Sequence, residues 1–323
     1  MLNRRRVCAA LAATLCSPSF AVAQSYPVHP IRLIVPYAAG GGTDTIARVV
    51  AQAMSENLGQ TIVVENIATG AGNVATMQAA AAAPDGYTIL MANQGPIAVN
   101  PHLMKSMKID TLKGFDAVTQ IASAPLVVVV PESSPIKTFR DLLDAARKAP
   151  GKLTYGSAGN GSASHLATVL LNVVANLDTM HVPYRGAGPA IIDLLGGQTQ
   201  FMVTTIPSVI GMIDTGKLRA LAVTSEQRTP FLRDVATIAE SGLPDYQASA
   251  WYGFVVPTGT PPVIIETLRK SAVATLSEER VRSRLASDGA QPVGNSPAEF
   301  SSFIKAEHAR WKEIIAKAKI EIL

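Results

Sequence analysis

Beyond its first 24 residues, this 323-residue chain contains no cysteine. Its two thiols, Cys8 and Cys16, both fall in MLNRRRVCAALAATLCSPSFAVAQ. The remainder therefore has no disulfide, no thiolate metal site and no cysteine nucleophile. Histidine is sparse as well. His29, His102, His165, His181 and His308 include no pair at the i, i+3 or i, i+4 spacing of a helical metal site. No metal ion is expected. No G-x-S-x-G elbow marks a serine hydrolase. No stretch reaches the roughly 18 apolar residues of a membrane span. Charged residues make up only 16% of the chain and hydrophobic residues 48%, which suits a large core and excludes disorder.

The formal net charge of +4 misleads, because Arg4, Arg5 and Arg6 lie in an opening segment with no acid. Without that segment, 25 basic residues face 24 acidic ones. So even a balance leaves no electrostatic footprint for nucleic acid. The segment itself has the parts of a secretory signal. The arginines form a positive start, Val7 to Leu15 an apolar core, and Ala21-Val22-Ala23 a small-x-small cleavage pattern. Leu15 before Cys16 argues against lipid attachment. Residues 1–23 are thus expected to be a signal peptide, with a periplasmic product beginning at Gln24.

Strand and helix signals alternate along the rest. IRLIV (31–35), TIVVEN (61–66) and YTILMA (87–92) read as strands, with helical spacing over 44–58 and 73–83. LVVVV (126–130) is a continuous apolar run, as in a strand buried on both faces. TFRDLLDAARKAP, the stretch from Ser162 to Leu177, and PAIIDLLGG read as helices between further short strands. WYGFVVP (251–257) opens the last part, and a final helix starts near Pro297 with Ile304, His308, Trp311 and Ile315 on one face. The pattern predicts an α/β fold, a parallel sheet with helices on both faces. LVVVVPES and LAVTSEQR are the candidate crossings between two domains.

Two glycine motifs are decoys. Gly70-Ala71-Gly72-Asn73-Val74-Ala75 fits a dinucleotide fingerprint, but no acid sits at the end of the next strand. Gly211 to Leu218 nearly fits a P-loop, yet Leu218 stands where Ser or Thr is required, and the segment reads as a helix end. No cofactor is expected. What remains is a set of small, neutral polar loops after strands, where open parallel sheets bind ligands. The first offers Tyr37, Gly41, Gly42 and Thr43, and the second Asn93 and Gln94. The third offers Ser157, Asn160, Ser162, Ala163, Ser164 and His165. Tyr184 and Gly186 come from the fourth, and Thr204, Thr205 and Ser208 from the fifth. Backbone N–H groups, hydroxyls and helix N-termini suit a carboxylate. A polyphosphate would want lysine or magnesium ligands.

Five stretches carry a family resemblance: VPYAAGGGTDTIAR, PDGYTILMAN, YGSAGNGSASHLA, HVPYRGAGPAIIDLLGGQ and WYGFVVPTGTPP. In this order behind a signal sequence, they resemble the Bug-type solute-binding proteins. Those are extracytoplasmic receptors of tripartite tricarboxylate transporters. The resemblance implies a periplasmic binding protein (type II-like) fold, two lobes with a ligand cleft between them. Domain 1 would comprise residues 24–124 and 225–323, and domain 2 residues 125–224. It also implies a monomer that captures a small carboxylate by closing and hands it to one large and one small membrane subunit. The loops at Gly41 to Asp44 and at Ser157 to Ser164 would meet the carboxylates. Asp44 would repel an anion, so it is read as a loop brace. Arg185 is either a partner for a distal carboxylate or a solvent-facing residue. Trp251 and Tyr252 either wall the cleft or pack in the core. Two rival readings are an exported serine hydrolase using Ser162 and His165, and a receptor feeding a sensor kinase.

Overall fold

The computed structural model describes residues 26–287 and 289–317. The expected signal peptide, its cleavage site and both cysteines lie outside the described residues. Strand β1 (Ile31–Val35) leads into helix α1 (Gly42–Leu58), which Gly59 ends in a left-handed conformation with φ 66°. Strand β2 (Ile62–Asn66), helix α2 (Asn73–Ala80) and strand β3 (Thr88–Asn93) follow. The short helices α3 (Asn100–Leu103) and α4 (Thr111–Gly114) then lead to β4 (Phe115–Pro131), a strand of 17 residues. Next come α5 (Phe139–Lys148), β5 (Thr154–Ser157), α6 (Ala163–Ala175) and β6 (Met180–Pro183). They are followed by α7 (Ala187–Leu195), β7 (Phe201–Thr205), α8 (Ile206–Asp214) and β8 (Leu218–Val223). The chain closes with β9 (Ser249–Pro257), α9 (Pro262–Ser277), α10 (Glu279–Ser287), β10 (Gln291–Pro292) and α11 (Pro297–Lys317). Among the described residues, no helix is long and apolar enough to cross a membrane.

The sheet is not parallel throughout. β2, β1 and β3 are parallel, as are β6, β5 and β7, but β9 and β4 between these sets run antiparallel to their neighbours. β4 runs in the same direction as β3, and β9 lies between them, opposite to both. β4 belongs to both halves of the molecule. Its first part pairs with β9, from Phe115↔Pro257 to Pro125↔Ser249. Its second part, LVVVV, pairs with β7 from Leu126↔Thr205 and with β8 from Val127↔Val223. Side-chain alternation explains why this run is wholly apolar. Val128 and Val130 enter one cluster and Val127 and Val129 another, on opposite faces.

The partner exchange at Pro125/Leu126 is stitched by Thr224. Its N–H donates to Leu126 O at 2.9 Å, and its hydroxyl donates to Ala248 O at 2.7 Å. Residues 225–248 stay against the second half, with the Val223 N–H on Ala236 O and the Ile238 N–H on Val223 O, each at 2.9 Å. Apolar Leu232 also packs there, beside Met202 and Val209. Thr224, within LAVTSEQR, supplies the stitch, and β9 takes up its pairing with β4 from Ser249.

On the first half, Leu33 and Val35 face the cluster that holds Ile46, Val50 and Met54 of α1, while Ile34 enters a second cluster with Ala75 and Ala79 of α2. Gly253 of β9 lies against the buried Phe300 of α11 and the carbonyl of Thr119, 3.0 Å from where a Cβ would stand. Gly253→Ala is expected to overpack this contact and to cost about 1–3 kcal/mol. Urea denaturation of the two proteins checks it.

Candidate functional site

Four helix N-termini converge on one cavity. They belong to α1 (Gly41, Gly42, Thr43), α6 (Ser162, Ala163, Ser164), α7 (Ala187) and α8 (Thr205, Ser208). The first turn of a helix has N–H groups without intrahelical acceptors and about half a positive charge. The cavity leaves about 50 Å³ for the centres of water-sized molecules. Tyr37, Asn93, Gln94, Gly95, Ala158, Thr204, Ala250, Trp251 and Tyr252 complete its lining. None of these residues carries a charged side chain.

Residues from both halves form the walls, and the halves touch directly. The Gly42 N–H donates to Ser208 Oγ at 2.8 Å, and the Ala38 N–H to Arg185 O at 3.0 Å. Glycine is required at this seam by space alone. A Cβ on Gly42 would stand 2.6 Å from Thr205 Oγ1, and one on Gly95 would stand 2.9 Å from the Gly161 carbonyl oxygen. Thr205 Oγ1 and Ser208 Oγ are 2.8 Å apart, and burial pushes the neighbouring Tyr252 phenol up to about 12, against the lowering effect of its bond with Thr205. The α6 loop is tied within itself. Ser162 Oγ donates to Gly159 O at 2.6 Å, and Ser164 Oγ accepts the Ala158 N–H at 2.8 Å.

Asp44 lies beside this cluster without lining the cavity. Its Oδ2 accepts the Gly40 N–H at 3.0 Å, and its Oδ1 accepts Arg48 Nε and Asn66 Nδ2, each at 3.0 Å. Burial raises the carboxyl, but the bonds from Arg48, Gly40 and Asn66 outweigh it and hold it below the usual range. The carboxylate thus braces the glycine loop with all its charge spent locally.

Five expected residues do not line the cavity: Ser157, Asn160, His165, Tyr184 and Gly186. Ser157, the last residue of β5, is buried and bonded to His181 Nε2 at 2.6 Å. His165 sits one turn into α6, behind the loop, where its Nδ1 accepts the Gly161 N–H at 3.1 Å and its ring stacks on His181. Tyr184 donates its hydroxyl to Asp193 at 2.7 Å. Gly186 packs on Ala38, and Asn160 is half-buried in the turn before Gly161. Arg185 is exposed and contributes its carbonyl to the seam, not its guanidinium to the cavity. Of His165, Ser162 Oγ meets only the backbone N–H, at 3.3 Å, and its own proton goes to Gly159 O, so no nucleophile–base pair forms. Of the decoys, Gly70 to Gly72 is a turn with φ between 54° and 87°, and Gly211 lies in the last part of α8.

The sequence reading left Trp251 and Tyr252 open. Both line the cavity and both are buried. The chain's only two tryptophans, Trp251 and Trp311, donate their indole N–H groups to one oxygen, Glu307 Oε2, at 3.1 and 3.2 Å. Helix α11 thereby fixes a wall of the cavity from behind. Ala187 and Ala250 were missed because alanine carries no chemical signal. Only their places, at a helix start and in β9, put them at the seam.

Two halves joined by a shared strand, with a neutral cavity under converging helix N-termini, define a periplasmic binding protein of the solute-receptor class. The profile of the tripartite tricarboxylate transporter family receptors, TctC, matches residues 46–320, and the chain belongs to that family. Receptors of this family are periplasmic and bind solutes; the chain is a solute-binding protein and not an enzyme. It is 34% identical to the protein BugT of Bordetella pertussis, over 97% of this chain and 98% of BugT. It is similar to the structure of Rpa4515 from Rhodopseudomonas palustris with adipate, with TM-score 0.89 and 34% identity over 92% of this chain and all of that one. It is also similar to MatC from Rhodopseudomonas palustris with bound malate, with TM-score 0.86 and 31% identity over 90% of this chain and 100% of that one.

Two predictions follow from the buried groups behind the cavity. Glu307→Ala leaves two buried indole donors without an acceptor and is expected to cost about 2–5 kcal/mol. Glu307→Gln, which keeps an acceptor oxygen, should cost distinctly less in the same urea titration. The second concerns pH. Burial holds the His165 imidazole down at about 4 and, together with the facing His165, the His181 imidazole at about 3. Both stay neutral in the fold but protonate near pH 6.5 once unfolded, as model imidazoles do. The unfolded chain then binds more protons, so stability falls as the pH drops from about 6.5 towards 4. Urea midpoints across that window should show the fall, and His181→Gln should reduce its slope.

Proposed function

We propose that the cavity receives a carboxylate of a small organic acid. The observation that carries this reading is the meeting of four helix N-termini on a lining with no charged side chain. Preoriented N–H groups and hydroxyls stabilise a carboxylate without a counter-cation. The adipate and malate held by the similar proteins are in keeping with it. Tyr37, Gly41, Gly42, Thr43, Asn93, Ser162, Ala163, Ser164, Thr204, Thr205 and Ser208 form the binding surface, with Trp251 and Tyr252 as its apolar wall.

Binding proceeds by closure of two lobes that bend where β4 exchanges partners. A ligand touching both lobes favours the closed state by its difference in affinity for the two states. The closed receptor, acting as a monomer exported with its signal peptide removed, delivers the solute to the large and small membrane subunits of a tripartite transporter. No covalent step is involved.

The test is a thermal-shift screen of the mature protein, unfolded and refolded to strip bound solute. A ligand at a hundredfold excess over its dissociation constant stabilises the native state by about 2.7 kcal/mol. An acid that shifts the transition while its amide does not supports the reading. A shift from amides alone, or from no acid, refutes it. Gly42→Ala, whose methyl group would collide with Thr205 Oγ1, should keep the lobes apart and weaken binding of any active acid at least about tenfold, or about 1.4 kcal/mol. Isothermal titration measures that change.

A further inference from the structure

Away from the cavity, one contact ties together two elements that both lead to it. His102 of α3 and His308 of α11 meet ring to ring, with His102 Nε2 and His308 Nδ1 2.9 Å apart and the ring planes inclined at 71°. A helical turn, Gly95–Val99, links α3 to the cavity at Gly95. Helix α11 carries Glu307, which holds the indole of Trp251. Both histidines are half-buried. The far nitrogen of the second ring, His308 Nε2, is buried and has no hydrogen-bond partner among the described residues.

That orphan nitrogen decides where the protons sit. Between two neutral imidazoles, one ring donates and the other accepts. If His102 donated, His308 would carry its proton on Nε2, a buried N–H with no acceptor. His308 therefore donates through Nδ1, and His102 accepts at Nε2. A further proton has no good place. On His308 it falls on the buried Nε2, as a cation without a partner. On His102 it falls on Nε2, the accepting atom, so that two N–H groups face each other. We propose that the pair is an acid-opened latch: one proton taken up from solvent parts the rings, separates α3 from α11 and loosens the Trp251 wall of the cavity. Burial holds both imidazoles below their ordinary range. Of the charged groups around them, Asp110, just before α4, favours a proton on His308, and Lys312, one turn along α11, opposes it on both rings. Glu307 offers the proton no partner, because its Oε2 accepts both indoles and its Oε1 meets Arg310. The latch is closed while both rings are neutral and opens as the pH falls below about 6.5.

The experiment uses the chain's two tryptophans, both bonded to the residue before His308. Quenching of their fluorescence by acrylamide measures how open that wall is to solvent, and its Stern–Volmer constant is insensitive to a charge placed near the indoles. In the refolded mature chain, the constant should rise in one step between about pH 7.5 and about pH 5, with its midpoint below about 6.5. His308→Phe and His102→Gln should each lose the step, and where one fails to fold the other decides. His181→Gln should keep it, since burial holds the His165 and His181 imidazoles at about 4 and about 3, below this window. A wild-type constant that does not change with pH overturns the latch. So does a step that survives His308→Phe or His102→Gln, or one that His181→Gln abolishes. Hydrogen exchange of α11 in the wild type, corrected for the intrinsic effect of pH, decides without any substitution. Protection lost across the same window supports the latch, and protection kept down to about pH 5 overturns it.

Discussion

One strand holds the arrangement together. β4 is bonded to β9 over its first part and to β7 and β8 over its second, so neither half can slide along it without breaking a ladder. What remains is bending, and the chain is prepared for it at one place. Pro125 has no N–H for the ladder, and the partner exchange follows directly at Leu126. Thr224 ties Leu126 and Ala248 together there, so the outgoing and returning passages are fastened at one level. The cavity lies where the strand ends of both halves deliver their helix starts to this seam.

The chemistry of the site follows from that geometry. Helix starts bring donors whose positions are set by whole helices rather than by single flexible side chains. Such donors act only at close range, so the two halves must approach closely. Small residues permit it: Gly42 against Thr205 and Ser208, Gly95 against the carbonyl of Gly161. Asp44, in the same loop as Gly42, is kept out of the cavity by giving both its oxygens to Gly40, Arg48 and Asn66. Behind the opposite wall, Glu307 performs a comparable task for Trp251, its Oε2 accepting both indole N–H groups while its Oε1 meets Arg310.

The loops at the strand ends were legible because glycine, serine and threonine after an apolar run are a local signal. Gly41, Ser162 and Thr205 all fall where that signal placed them, on the cavity. Side-chain direction was not legible. Ser157 and His165 sit in the same loop as Ser162 but point into the His181 stack, and nothing in local spacing distinguishes them. The antiparallel centre was hidden for another reason. DAVTQIASAP, the first part of β4, mixes polar and apolar residues because it is covered unevenly, so only LVVVV announced a strand. Trp251 defeated a choice between core and cleft because it occupies both. One edge of the indole is anchored to Glu307 and ringed by Phe300 and Phe303, and the residue still borders the cavity.

A lining without fixed charge also governs how a solute arrives. Opposed clusters of lysine and arginine project a field over a Debye length and draw anions in, at rates that collapse as salt rises. The partial charges of helix starts fade within a turn. The lining itself therefore adds nothing to long-range steering, and what it selects it selects after contact, by fit against amides and hydroxyls. Such a receptor gives up speed at a distance and keeps its discrimination when the surrounding medium becomes saline.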